Sequence, residues 1–443
     1  MSDSNLYALG NPNAHRNLNG TTAEQEAYAR DELSAALVDD NVILDAYKED
    51  DIIESFNKGE GAPGAVSSDM SVSHNSLDVS EDDLDPAALY SLIEEAIPRQ
   101  IDATRVLTVA EQQQKREMLE HVWDRVRLWL RRHSLAEERQ AAACIRGQAD
   151  ATPLHLMCKL HNPPEDVIQE IVESAPEVVG WTDNHGWLPL HHACANGTST
   201  EVLRLLTDAY PAGKVHQDKQ NRTPLHFYAT RNSDIPVVMT ANAALLADSG
   251  AAELSDHGGM LPMHYACAYG THPVVLQVLG TVFPGSLVAK ENKGRTPMHL
   301  AMVNAHRDSS PGVISFLLHE HAASKATINT RDNDGYLPLH LLALGLRGYR
   351  ADDPAKRSNV SESLSMYLDA EPISAADFLT AIQDLPDWLQ DTAVVSRHVR
   401  NVLNRKIVQR LPTSILMLDG YWLIVIIVCF EVTTRNHVRC LRG

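Results

Sequence analysis

The sequence predicts an all-α solenoid, a row of stacked helix-turn-helix units between an acidic N-terminal region and a C-terminal apolar helix. Three observations carry that reading. A four-residue signature recurs six times: TPLH at Thr152 to His155, LPLH at Leu188 to His191, TPLH at Thr223 to His226, LPMH at Leu261 to His264, TPMH at Thr296 to His299 and LPLH at Leu337 to His340. Its prolines stand 36, 35, 38, 35 and 41 residues apart, a period of stacked supersecondary units rather than of one closed core. After each signature comes a small-residue stretch and then one rich in Leu and Val, the pattern of a short helix packed on an amphipathic one.

Taken in chain order, residues 1–104 read as an acidic, largely disordered region. Residues 1–100 hold 21 Asp/Glu against 5 Lys/Arg, which accounts for most of the formal charge of −20. Such a tail repels phosphates and excludes a nucleic-acid-binding arm; it suits a solvated segment or a lure for basic partners. Residues 1–54 have possible amphipathic helix, but 55–85 are rich in Gly, Ser and acid and bury too little apolar surface to offset chain entropy. Residues 105–147 read as a helical N-terminal cap. Thr108 and Glu111 are spaced like a capping box, and Met118, Val122, Trp123, Val126, Trp129 and Leu130 recur on one helical face able to seal the open end of an array.

Residues 148–345 hold about six repeats. In the second, Pro189 starts a helix at the position where its missing N–H costs nothing, and Gly197 ends it. Ala193 and Cys194 permit close packing, while Val202, Leu203, Leu205 and Leu206 form the apolar face of the partner helix. Helices of about ten residues do not persist alone in water, so each unit depends on its neighbours. The histidine is expected to hydrogen-bond across the turn and fasten adjacent backbone. Where Leu replaces Thr, the loss of a hydroxyl N-cap is expected to cost about 1 kcal/mol. The stretches after Phe227 and between 299 and 337 are longer than the rest and read as less regular.

The repeated TPLH, the small-residue helix ending in ANG (195–197) or AYG (268–270), and the DNHG, ENKG and RDNDG approaches resemble the ankyrin-repeat family over about 151–345. The resemblance implies that a protein partner is gripped by loop tips and first helices. The residues just before the signatures are Ala151, Trp187, Arg222, Met260, Arg295 and Tyr336, and Trp, Arg and Tyr are the types that dominate interface energetics. The expected partner-binding face comprises Asn184, His185, Trp187, Lys219, Gln220, Arg222, His257, Met260, Tyr269, Asn292, Lys293, Arg295, Asn304, Asp334 and Tyr336. The competing reading is that each tip residue merely covers its neighbour.

No phosphate loop, dinucleotide fingerprint, zinc-protease helix, nucleophile elbow or kinase set is present, so the chain reads as non-catalytic, with no cofactor and no metal. His191, His192 and Cys194, and His319, Glu320 and His321, are the nearest approaches to a metal set. The first belongs to the repeat, and the neighbours in the second point in different directions on a helix. Six scattered cysteines and the lack of a secretory signal fit a reducing compartment, where the sequons at Asn19, Asn196 and Asn359 stay unmodified.

Residues 346–410 read as a helical segment turning basic, with Val395, Val399, Val402, Leu403 and Ile407 at helical spacing among Arg397, Arg400, Arg405, Lys406 and Arg410. Residues 411–443 read as a transmembrane tail. Gly420 to Phe430 is uncharged, although Asp419 and Glu431 bracket it and leave the clean run short of the roughly 20 residues a bilayer needs. On this reading Arg405, Lys406, Arg410, Tyr421 and Trp422 contact membrane lipid, and the flanking charges keep the repeats cytoplasmic. The segment LPDWL (385–389) with an apolar tail resembles, more loosely, part of some ankyrin proteins. Two alternatives stand: a soluble adaptor that buries the run within its fold, and the cytoplasmic part of a multi-pass channel or transporter.

Overall fold

The computed structural model describes residues 86–94 and 109–410, the latter with short interruptions at 161, 232–234, 308, 320–325, 347–352, 371–372 and 391. Among the described residues all regular structure is helical. The chain opens with α1 (Pro86–Glu94), α2 (Val109–Arg132) and α3 (Ala136–Ala143). Six hairpins follow, pairing α4 (Pro153–Lys159) with α5 (Glu165–Ser174), α6 (Pro189–Asn196) with α7 (Thr200–Ala209), and α8 (Pro224–Tyr228) with α9 (Pro236–Ala247). The next pairs are α10 (Pro262–Tyr269) with α11 (Pro273–Val282), α12 (Pro297–Val303) with α13 (Ser310–His319), and α14 (Pro338–Gly345) with α15 (Pro354–Ala370). First helices pack on first helices and second on second, making two layers.

Each first helix begins at the signature proline, whose fixed φ suits the first helical position. The preceding Thr or Leu is extended, as a cap residue must be. Gly197 (φ 78°) and Gly270 (φ 67°) end α6 and α10 in a backbone region that side chains disfavour. Second helices bury one stripe: Val202, Leu203 and Leu206 in α7, with Leu205 only half-buried, and Val167, Ile168, Ile171 and Val172 in α5. Each such side chain contributes about 1.5–3 kcal/mol of burial, and packing on the second helices of neighbouring hairpins supplies part of it.

A short 3₁₀ helix after the second helix went unanticipated. It spans Pro176–Gly180, Pro211–Val215 and Pro284–Leu287, and in two units without the proline, Ala251–Glu253 and Ala326–Asn329. The signal was present in the proline that follows Ala175, Tyr210 and Phe283. The stretches expected to be irregular have the same parts as the others, with α8 and α9 in one and α12, α13 and a 3₁₀ turn in the other.

Helices also flank the array at both ends. The region read as largely disordered contains α1, which buries Leu89, Tyr90, Leu92 and Ile93 against α2, α3 and α4. Gly147 leaves the room that the Tyr90 ring fills. In α2 the expected stripe is buried except for Met118, which is 47% exposed. The helical segment after 345 is not separate: α15 completes the sixth hairpin. Beyond it come α16 (Ala375–Gln383), α17 (Asp387–Gln390) and α18 (Ala393–Arg410). α16 packs on α14 and α18 on α15, so these form a seventh hairpin without the signature. Tyr367 in α15 donates its hydroxyl to the Ile328 carbonyl at 2.7 Å, locking that hairpin to the turn before it.

Residues 1–85, 95–108 and 411–443, which include Thr108 of the expected capping box and Tyr421 and Trp422 of the expected lipid contacts, lie outside the described residues. Among the described residues no helix is long and apolar enough to cross a membrane. Arg405, Lys406 and Arg410 fall on the last turns of α18.

Candidate interaction surface

Five loops join successive hairpins at one edge of the stack, and each is built around the acid at its head. Asp183 Oδ1 accepts the backbone N–H groups of His185 (2.8 Å) and Trp187 (2.9 Å), and Asp218 Oδ1 those of Gln220 and Arg222 (both 2.8 Å). Asp256 takes Met260 N–H (2.8 Å), Glu291 takes Arg295 (3.0 Å) and Asp332 takes Tyr336 (2.7 Å). A residue at positive φ turns each loop: Gly186, Asn221, Gly259, Gly294 and Gly335. Loop backbones are then tied in series. Lys219 N–H donates to His185 O (3.2 Å), His257 to Gln220 (3.0 Å), Asn292 to Gly258 (2.9 Å) and Asn333 to Lys293 (2.9 Å).

Three of these acids also use their second oxygen. Asp183 Oδ2 pairs with His192 Nε2 at 3.0 Å; burial pushes the Asp183 carboxyl up, but His192 and the loop N–H groups outweigh it and hold it low. Asp218 Oδ2 accepts from Trp187 Nε1 and Arg222 Nε, both at 2.9 Å, and Asp256 Oδ2 from the Tyr265 hydroxyl at 2.7 Å. Glu291 differs: the Oε1 that takes the Arg295 backbone N–H also accepts from Arg295 Nε, at 2.9 Å. All five acids hold their loops; Asp183, Asp218 and Glu291 are buried in doing so, whereas Asp256 and Asp332 are half-buried.

The signature histidines fasten first helices to these loops. Nδ1 accepts the cap residue's N–H in all six, at 3.0–3.2 Å. Nε2 donates onward to the tip carbonyl of the following unit: His155 to Trp187 (3.1 Å), His191 to Arg222 (3.3 Å), His226 to Met260 (3.1 Å) and His299 to Tyr336 (3.2 Å). His264 donates to Ala289 O instead, at 3.2 Å. The bonds assign the neutral ring with its proton on Nε2. Burial keeps it neutral, lowering His155 and His226 to about 3 and His264 and His299 to about 4.

The expected cap role of the threonine hydroxyl is corrected by the same geometry. Thr152, Thr223 and Thr296 place Oγ1 2.8–2.9 Å from Nδ1 of their own histidine and make no side-chain bond to the helix N–H groups. Where Leu stands instead, the histidine still caps the backbone and the leucine is buried, with Leu188 at 0% exposure. No cap is lost.

Of the expected partner-binding residues, Asn184, Lys219, Gln220, His257, Asn292, Lys293 and Asp334 are exposed along this edge, and His185, Met260, Arg295, Tyr336 and Tyr269 are half-buried. Trp187 (6% exposed), Arg222 (8%) and Asn304 (8%) are inside. Trp187 packs on Phe227 with ring centres 4.4 Å apart, Arg222 neutralises Asp218, and Asn304 Nδ2 donates to Leu300 O at 3.2 Å. For these three, covering a neighbour is the role the geometry gives. The sequence reading missed Asn333, exposed at the loop place that Asn184 and Asn292 occupy, with Nδ2 donating to Asn292 O at 2.9 Å. Among the described residues no group of three ligating side chains could hold a metal ion. His191 and His192 are committed as above, Cys194 is buried, and Glu320 and His321 lie outside the described residues.

This architecture defines a repeat protein of stacked helical hairpins with one row of tied loops. No family model matches the chain. Over 138 residues, 30% of this chain, it is 30% identical to transient receptor potential cation channel subfamily A member 1 of Homo sapiens, and the match covers 11% of that protein. It is 24% identical over 184 residues to the probable 26S proteasome regulatory subunit p28 of Saccharomyces cerevisiae, covering 35% of this chain and 79% of the relative. It is 28% identical over 156 residues to the tyrosine-protein kinase HTK16 of Hydra vulgaris, covering 34% of this chain and 19% of the kinase.

Proposed function

We propose that the array is an ankyrin-type, non-catalytic scaffold that binds a protein partner along its tied loop row. The observation that carries this is the series of backbone bonds from loop to loop, which holds Asn184, Lys219, Gln220, His257, Asn292 and Lys293 in a preformed row. A partner meeting such a row loses little free energy to ordering it. The relatives are consistent with the same reading. One is named a channel, one a proteasome subunit and one a kinase, and each resembles only about a third of this chain, so the likeness points to no one of those chemistries.

The test is co-purification with the full chain, comparing wild type with Gln220→Ala/Asn292→Ala and with a control change on the second-helix face, Gln277→Ala. A partner lost with the loop pair and kept with the control supports the proposal. A partner indifferent to the loop pair rejects it.

A finer reading places the protein at a membrane through residues 411–443, favoured by the uncharged run from Gly420 to Phe430 and by the basic residues Arg405, Lys406 and Arg410 before it. Alkaline extraction of membranes decides it: full-length chain released to the soluble fraction removes the anchor and leaves the adaptor.

A further inference from the structure

We infer that the loop row takes an extended acidic segment of its partner; this rests on the scaffold reading above and adds the chemistry of what is bound. The chain as a whole carries −20, yet the middle loops reverse that sign toward solvent. Every loop begins with an acid, but Asp183, Asp218 and Glu291 are buried (5–6% exposed) and spent on loop N–H groups and on His192, Arg222 and Arg295, while Asp256 and Asp332 are half-buried, Asp256 taking the Tyr265 hydroxyl. What projects outward from the middle loops is Lys219, His257, Lys293 and the amides Gln220 and Asn292, with Lys290 beside them. Exposed Asp334 belongs to the last loop. The turning of acids inward thus leaves a strip of cations and amide donors in a chain whose excess of acid lies mostly in residues 1–100.

The spacing suits an extended chain. Neighbouring helices pack about 8–10 Å apart, so Lys219 and Lys293, two loops apart, stand about 20 Å apart. A strand advances about 3.3 Å per residue, so carboxylates about six residues apart meet both lysines. Gln220 supplies a donor between them, and Asn292 Nδ2, which gives one N–H to His257 O at 2.9 Å, has a second to offer. Remote charge repels such a segment, so recognition depends on the local strip and discriminates against chains that merely follow net charge.

The experiment uses the full chain and three fluorescent probes at 50 mM salt: a 16-residue Glu/Ser peptide, the matching Lys/Ser peptide and a 16-base-pair DNA duplex. The inference expects the acidic peptide to bind at least tenfold tighter than the basic one, and Lys219→Glu/Lys293→Glu to reverse that order while circular dichroism stays unchanged. Equal binding of both peptides, or a preference untouched by the charge reversal, overturns it. Duplex DNA binding as tightly as the acidic peptide and lost in the same variant also overturns it, as a general polyanion surface. If a purified partner still depends on Gln220 and Asn292 while no acidic probe binds, the scaffold reading stands and this inference alone falls.

Discussion

Trp187 donates its indole N–H to Asp218 Oδ2 at 2.9 Å, joining the tip of one hairpin to the head of the next loop. The bond turns a residue that reads as an interface anchor into part of the loop framework. Trp187→Phe keeps the ring on Phe227 and leaves Asp218 with Arg222, so it should cost about 1–2 kcal/mol. Arg222→Met leaves the buried carboxylate without its counter-charge and should cost about 3–5 kcal/mol. Urea unfolding at pH 7 separates the two; equal costs would show that the charge pair is not what holds the loop.

Stability should fall steeply in mild acid. His155 and His226 are held at about 3, and His264 and His299 at about 4, by burial, against an ordinary value of 6.5. The unfolded chain therefore takes up protons first. Stability is complete above pH 6.5 and declines as pH falls toward 4, by up to about 1.4 kcal/mol per pH unit for each histidine. Denaturation curves at pH 7.5, 5.5 and 4.5 check this, and a flat profile refutes it.

Leu188 is not a damaged threonine. Leu188→Thr returns a hydroxyl within reach of His191 but gives up a fully buried side chain, so it should destabilise by about 1–2 kcal/mol rather than restore a missing cap. Thermal unfolding reports the sign, and a gain in stability would reinstate the cap role of the hydroxyl.

Two glycines isolate the bond series. Gly294 (φ 78°) and Gly335 (φ 86°) share a backbone region that costs a side chain about 1–2 kcal/mol. An added Cβ at Gly335 meets nothing within 4 Å, whereas at Gly294 it lies 2.9 Å from the Asn333 backbone nitrogen that bonds Lys293 O. Gly294→Ala should therefore be the more destabilising and should raise hydrogen exchange at the Asn333 amide; Gly335→Ala should leave that amide protected. Equal protection in both variants removes the loop-to-loop bond from the account.

Much of this was legible in the chain because it depends on neighbours in sequence. Pro189 starting a helix, Gly197 ending it and the apolar stripe of α7 follow from φ restriction and helical period, and the resemblance carried by TPLH supplied the stacking. The proline after Ala175, Tyr210 and Phe283 encodes the 3₁₀ turns through its fixed φ. The place of Asn333 in the row depends on its bond to Asn292 O, 41 residues away, which no local pattern carries.

Local sequence fixed where helices begin, which faces are apolar and how often the unit returns, since those depend on contacts within a few residues. Only the tertiary structure decided which tip residues face outward. Trp187 and Asn184 stand three apart in one loop, yet one is buried because Asp218 and Phe227 arrive beside its ring, and the other is exposed because its neighbours, Lys219 and Ala149, bond only its backbone. Burial is set by what packs there from 30 or more residues away, and the identity of a loop residue carries no record of it.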